Sequence, residues 1–63
     1  MKKYCMMLIQ TYNSMVETLK KNNLLVNKGD LWEEVLSEGI LICGLCLEHD
    51  ILVSMVSDGS IHY

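Results

Sequence analysis

A single helical stripe occupies the first third of this sequence. Within residues 4–22, seven apolar side chains recur at spacings of three and four residues: Cys5, Leu8, Ile9, Tyr12, Met15, Val16 and Leu19. These spacings place the side chains on one face of an α-helix. The pattern therefore predicts one long helix. The alternative is a strand that starts at Tyr4, followed by a helix that starts at Ser14, where Ser14 and Glu17 form a capping-box pattern.

A second helix is predicted after a loop at residues 27–29. Asp30 precedes Glu33 by three residues, which is the signature of a helix N-terminus, where carboxylates also favour the helix dipole. The helix is expected over residues 31–38. Gly39 stands where a glycine supplies the left-handed C-terminal cap of a helix. The apolar face of this helix consists of Leu31, Trp32, Val35 and Leu36.

The C-terminal third contains two apolar runs and two turn signals. The runs, residues 40–47 and 51–56, are separated by three polar residues, which favours an antiparallel hairpin. A Ser-Asp-Gly-Ser turn follows at residues 57–60, and residues 61–63 form a candidate third strand.

The predicted fold class is α+β: a long helix, a short helix, and an antiparallel β-hairpin or three-stranded sheet. The alternative is a small all-α bundle in which the second helix continues through Gly39 and Gly44. Each internal glycine costs about 1 kcal/mol relative to alanine, which makes that alternative less attractive. With 63 residues the chain has room for one domain, covering residues 1–63.

The apolar content is too large for so small a domain to hide. Hydrophobic residues make up 51% of the sequence, yet a domain of this size buries only about 60% of the surface that its unfolded chain exposes. A contiguous apolar patch should remain and mark an interaction site. We therefore expect a homodimer, a higher homo-oligomer or a tight protein partner.

Location follows from two further features. The longest apolar run falls short of the 18 or so residues that a membrane span requires, so no membrane partner is expected. Three cysteines are an odd number, which suits a reducing compartment better than a disulfide framework. The expected location is the cytoplasm.

Charge is divided along the chain. Residues 1–28 carry five lysines and one glutamate, a net charge of +4, whereas residues 29–63 carry seven acidic residues and no lysine or arginine. The two halves can pair internally, or the acidic half can steer toward a basic partner. Direct nucleic-acid binding is not expected, because a few lysines without any arginine make a poor phosphate-binding surface.

A C-x-x-C pattern raises the question of a metal site. Cys43 and Cys46 are followed by His49, and a structural zinc requires four such ligands. Cys5 or His62 is a conceivable fourth ligand. In a strand, however, residues 43 and 46 point to opposite faces. We expect no metal and no cofactor, and interpret the thiols as small buried hydrophobes.

No arrangement in the sequence predicts catalysis, because no nucleophile pattern, catalytic triad or phosphate-binding loop is present. The candidate site residues are instead partner-binding ones. They comprise two methionines on the polar side of the long helix, the single tryptophan, and the carboxylates of the second helix: Met6, Met7, Trp32, Asp30, Glu33, Glu34 and Glu38.

The expected function is therefore non-catalytic, stoichiometric binding. The chain is small, has an acidic C-terminal half and shows no catalytic pattern. In these respects it is similar to the small inhibitor proteins of phages and mobile elements, which include anti-CRISPR and other anti-defence proteins. That similarity implies one of two mechanisms. Either Asp30, Glu33, Glu34 and Glu38 occupy a basic nucleic-acid groove of a target, so that the partner would be a nucleic-acid-binding protein complex, or an oligomer of this chain blocks an assembly surface. The alternatives are a small oligomer that sequesters a metal or ligand through Cys43, Cys46 and His49, and a structural assembly component.

Overall fold

The computed structural model describes residues 2–25 and 29–63. Two helices, α1 (Lys2–Lys21) and α2 (Asp30–Glu48), are followed by two short strands, β1 (Ser54–Met55) and β2 (Ile61–His62). The predicted α+β fold class is confirmed. Two residues of the predicted interhelical loop, Asn27 and Lys28, lie outside the described part of the chain.

The long first helix is confirmed, and the alternative with a strand at Tyr4 is wrong. The buried side chains of α1 are Cys5, Ile9, Tyr12 and Val16, which follow the spacing of the apolar stripe. Beyond Lys21 the backbone turns at Asn23, whose φ of 58° is left-handed. The amide of Leu24 donates to the carbonyl of Leu19 at 2.9 Å, so the helix ends in a Schellman motif.

The second helix is more than twice as long as predicted. It continues through Gly39 and Gly44 to Glu48, so a helix end at Gly39 and a strand over residues 40–47 are both wrong. A short apolar run has the same appearance in a buried strand and in a buried helix. Here packing against α1 decides, because a helix aligns Val35, Gly39 and Cys46 on one buried face.

Both ends of α2 differ in detail from the sequence expectation. The residue that precedes the helix is Gly29, which makes no side-chain capping bond, so Asp30 and Glu33 lie in the first turn without forming a capping box. The helix ends before Asp50, which has a left-handed φ of 61°. The amide of Ile51 donates to the carbonyl of Cys46 at 2.9 Å, again as in a Schellman motif.

The predicted first hairpin is wrong, but the second turn signal forms the observed hairpin. Strands β1 and β2 pair antiparallel, with Ser54 opposite His62 and Met55 opposite Ile61. Gly59 closes the connection with a φ of 89°, a conformation in which a side chain would be strained. The predicted strand over residues 51–56 is paired only at Ser54–Met55.

The helices run antiparallel. The thiol of Cys5 near the start of α1 lies 3.9 Å from the carbonyl oxygen of Leu45 near the end of α2, and the Tyr12 hydroxyl donates to the carbonyl of Val35 at 2.8 Å. The core between the helices and the hairpin consists of Cys5, Ile9, Tyr12, Val16, Leu25, Val35, Cys46 and Ile61. Among the described residues no helix has the length and apolar character needed to cross a bilayer.

Candidate functional site

The hairpin is held against one side of the helix pair by Asn13. The side-chain amide of Asn13 donates to the carbonyl of Ile61, and its oxygen accepts from the Ile61 amide, both at 2.8 Å. Asn13 therefore satisfies both backbone groups of Ile61, as a neighbouring strand would. Asn13 lies outside the apolar stripe of α1, and helical periodicity contains no signal for the contact.

An ion pair between Lys20 and Asp58 holds the turn of the hairpin to the end of α1. The second oxygen of Asp58 accepts from the amide of Ser60 at 3.0 Å and from its hydroxyl at 2.6 Å. The hydrogen bond from Lys20, followed by those from Ser60, holds the pKa of the Asp58 carboxyl well below its usual range. This pair joins the basic and acidic halves of the chain, and it is the only ion pair among the side chains of residues 3–25 and 29–63.

The other side of the helix pair carries an open cleft, which we call the interhelical groove. Met15 follows Asn13 by two positions, about 200° around the helix, so it faces away from the hairpin. One part of the groove, about 330 Å³ in volume, is lined by Met15, Leu19, Leu31, Glu34, Val35 and Glu38. The adjoining part, about 250 Å³, is lined by Met7, Leu8, Thr11, Tyr12, Met15, Glu38 and Ile42. Met15 and Glu38 line both parts, which makes the groove continuous.

The predicted partner-binding residues are divided between different surfaces. Met7, Glu34 and Glu38 line the interhelical groove. Met6, Asp30 and Glu33 are exposed but do not line it. Trp32 is half-buried and packs against the core near Gly59. The groove therefore combines some of the expected residues with Met15 and Leu31, which the sequence had assigned to the two helical cores.

The second half of α2 forms another exposed surface, which we call the apolar half-helix (residues 39–47). No charged residue occurs between Glu38 and Glu48. Within this segment the side chains of Ile40, Leu41 and Leu47 are 66%, 60% and 56% exposed, respectively. The segment is thus apolar around its whole circumference, although only one side of it faces the core.

The three thiols lie in or beside the core. Cys5 and Cys46 are fully buried and Cys43 is half-buried. Burial, with a hydrogen bond to Cys5, raises the pKa of Cys46 to about 11, and burial also raises the pKa of Cys43. Cys43 and Cys46 therefore hold little of the reactive thiolate at neutral pH.

The geometry of the C-x-x-C differs from the sequence argument. Cys43 and Cys46 lie on a helix, one turn apart, and not on opposite faces of a strand. His49 stands at the C-terminal cap of that helix. Within the described ranges, no three His, Cys, Asp or Glu side chains come together in an arrangement that could hold a metal ion.

Comparisons with known proteins give no relative. No family model matches the sequence, no curated protein is significantly similar to it, and no solved structure matches its fold. The class is therefore defined by the structure alone: a small α+β protein in which an antiparallel helix pair has a hairpin on one side and an open groove on the other.

Proposed function

We propose that this chain is a non-catalytic binding protein, which acts by stoichiometric association with another protein or with a second copy of itself. The observation that carries the proposal is the apolar half-helix. A helix that is apolar all round is normally buried on all sides. Covering Ile40, Leu41 and Leu47 by a partner would contribute about 1.5 to 3 kcal/mol for each fully buried side chain.

The distribution of the other large apolar side chains supports the same proposal. Leu52, just beyond the end of α2, is 85% exposed, and Tyr4 and Tyr63 are more than half exposed. Singly scattered exposed apolar residues are ordinary, but Leu52 and Tyr63 line one surface cleft together, and contiguous apolar surface is typical of an interaction site. We infer that association completes the hydrophobic core of this small domain.

The acidic first half of α2 gives the proposal a second component. Asp30, Glu33, Glu34 and Glu38 are all exposed, and such a surface attracts a partner rich in lysine and arginine. Proteins that bind nucleic acid have such lysine- and arginine-rich surfaces, and we propose that this chain inhibits one of them in the cytoplasm. Glu33→Lys combined with Glu34→Lys tests this component, since unchanged capture of the same target by the variant would remove the acidic surface from the mechanism.

Association itself is tested by light scattering across a wide range of protein concentration. The wild-type chain should self-associate or bind a hydrophobic dye, and Ile40→Gln with Leu47→Gln should reduce both while the helical circular dichroism persists. Leu24→Gln is the matched control, because Leu24 is 42% exposed and lies outside the apolar half-helix. A wild-type protein that remains a folded monomer and does not bind the dye contradicts the proposal.

A further inference from the structure

We propose that the interhelical groove is the docking site for an amphipathic helix of a partner protein, whose apolar face is flanked by lysine or arginine. The inference rests on the proposed binding function and gives the chemistry of the partner. It concerns a surface separate from the apolar half-helix, so the two surfaces can be disabled independently.

The shape of the groove suits a helix. On α1 the lining extends from Met7 to Leu19, a distance of about 18 Å along a helix axis, which corresponds to about three helical turns of a partner. The two walls are antiparallel helices, and the hairpin leaves this side of the pair uncovered. A third helix laid between α1 and α2 would pack its side chains into the cleft, as helices do in a bundle.

The lining of the groove is apolar and adaptable. Met7 and Met15 are 55% and 44% exposed, and Leu31 is 36% exposed. Unbranched methionine side chains can adjust to the shape of a docked surface. An apolar helix face laid into an apolar groove is a recurring mode of peptide recognition, in which anchor residues are spaced at three and four positions.

Charge identifies the helix that fits. Glu34 and Glu38 are one turn apart on the same edge of the groove, and both are exposed. In the described part of the chain neither of them pairs with a cation, whereas Asp58 pairs with Lys20. The α1 edge contributes the uncharged Thr11. A docked helix with lysine or arginine beside its apolar face would place those cations against Glu34 and Glu38.

A second copy of this chain fits the groove less well. The apolar stripe of its α1 is already buried against α2, as the burial of Ile9 and Val16 shows. The second half of its α2 is apolar but has no lysine or arginine to pair with Glu34 and Glu38, and the first half is acidic and would face that acidic edge. Such like-charge contacts are unfavourable, so a foreign basic helix is the occupant that the charges select.

The test uses three synthetic helical peptides of equal length: one with leucine along one face and lysine on its flanks, one with glutamate in place of the lysines, and a scrambled form of the first. Binding to the full chain is measured by calorimetry, and contacts are mapped by NMR of the methionine methyl groups. The lysine-flanked peptide should bind at least about tenfold more tightly than the glutamate-flanked peptide, a difference of about 1.4 kcal/mol. Its affinity should also fall as salt is raised.

Variants of the groove give the second arm of the test. Glu34→Lys with Glu38→Lys should weaken binding of the lysine-flanked peptide by about tenfold. The same variant should bind the glutamate-flanked peptide more tightly than the wild type does. Glu17→Lys with Glu48→Lys changes the net charge equally, at exposed positions outside both the groove lining and the acidic first half of α2, and should have a much smaller effect. Met15→Gln should also weaken binding of the lysine-flanked peptide. Circular dichroism checks that each variant is folded.

Three results would overturn the inference. The first is equal binding of the lysine-flanked and glutamate-flanked peptides, and the second is Met7 and Met15 methyl signals that do not change on binding. The third is self-association that Met15→Gln abolishes, because that result would identify a second copy as the occupant. Ile40→Gln with Leu47→Gln separates this inference from the proposed function. That variant should lose self-association and retain peptide binding, so failure of either surface is detected without reference to the other.

Discussion

Asn13 lies outside the apolar stripe of α1, yet it links the helix pair to the hairpin. Its side-chain amide exchanges two hydrogen bonds of 2.8 Å with the backbone of Ile61. Those backbone groups belong to the outer edge of β2, where a longer sheet would have supplied a neighbouring strand. One half-buried side chain thus satisfies the strand edge and determines which side of the helix pair the hairpin covers.

Replacement of Asn13 by alanine is expected to lower the free energy of unfolding by about 2 kcal/mol. Two hydrogen bonds are lost and the partly buried amide and carbonyl of Ile61 are left without these partners. Urea denaturation followed by circular dichroism measures the change. Gln10→Ala, at an exposed position of the same helix, should change stability by less than about 0.5 kcal/mol; equal losses in the two variants would contradict the role of Asn13.

Asp58 should make stability dependent on acid pH. Its hydrogen bonds with Lys20 and Ser60 lower the pKa of the carboxyl below the usual 3.8 in the folded state. As the pH approaches and passes below 3.8 the unfolded chain binds a proton that the folded chain does not. The stabilisation is therefore complete above about pH 5 and is lost progressively as the pH falls further. Melting temperatures between neutral pH and pH 3 should therefore decline less steeply for Asp58→Asn than for the wild type. Glu17→Gln, at an exposed position, should retain the wild-type slope.

Helix α2 contains two glycines, Gly39 in a crowded contact and Gly44 beside open space. A methyl group at Gly39 would overlap the end of the Met55 side chain and lie 2.8 Å from the Tyr12 hydroxyl oxygen. At Gly44 nothing lies within 4 Å of the corresponding position. Gly39 therefore permits the close approach of α1 and the hairpin to α2, whereas Gly44 only lowers helix propensity.

Alanine substitutions at these two glycines should change stability in opposite directions. Gly44→Ala is expected to raise the free energy of unfolding by about 1 kcal/mol through helix propensity. Gly39→Ala should lower it by about 1 to 3 kcal/mol, because Tyr12 is buried and hydrogen-bonded to Val35 and overpacking at such a contact outweighs the gain in propensity. Thermal unfolding of the two variants measures both effects, and stabilisation by both would contradict the close contact at Gly39.

At the scale of the whole molecule, the three thiols report on opening of the helix pair. Cys5 and Cys46 face each other across the interface between α1 and α2 and are fully buried. Burial keeps the pKa of Cys46 near 11, so its reactive thiolate is scarce at neutral pH. Its reactivity therefore requires separation of the helices.

Thiol labelling should proceed in two stages. In the native protein at pH 8 the half-buried Cys43 should react first, and Cys5 and Cys46 should react together at the rate of global opening, as buried groups in one cooperative unit do. Mass spectrometry after pulses of iodoacetamide measures the order. Destabilisation by Asn13→Ala should accelerate the second stage; labelling of Cys46 as fast as that of Cys43 would show that the helix pair opens locally.

Part of the candidate site could be predicted from the sequence. Met7, Glu34 and Glu38 were expected to contact a partner, and they line the interhelical groove. Met15 and Leu31 were assigned to the cores of their own helices, because periodicity assigns a residue to one face of one helix. Whether that face lies under a neighbour or beside a cleft depends on how two helices pack, and local spacing carries no information on that.

The sequence by itself determined α1, the start of α2, the turn at Gly59 and the α+β class, because each depends on periodicity or turn chemistry within a few residues. Tertiary structure decided that residues 40–47 are helical, that Gly39 is a contact point and that the hairpin covers one side of the helices only. The physical reason is the range of the interactions. Asn13 and Ile61 are 48 positions apart and Tyr12 and Val35 are 23 apart, and contacts between such distant residues exist only once the chain has folded.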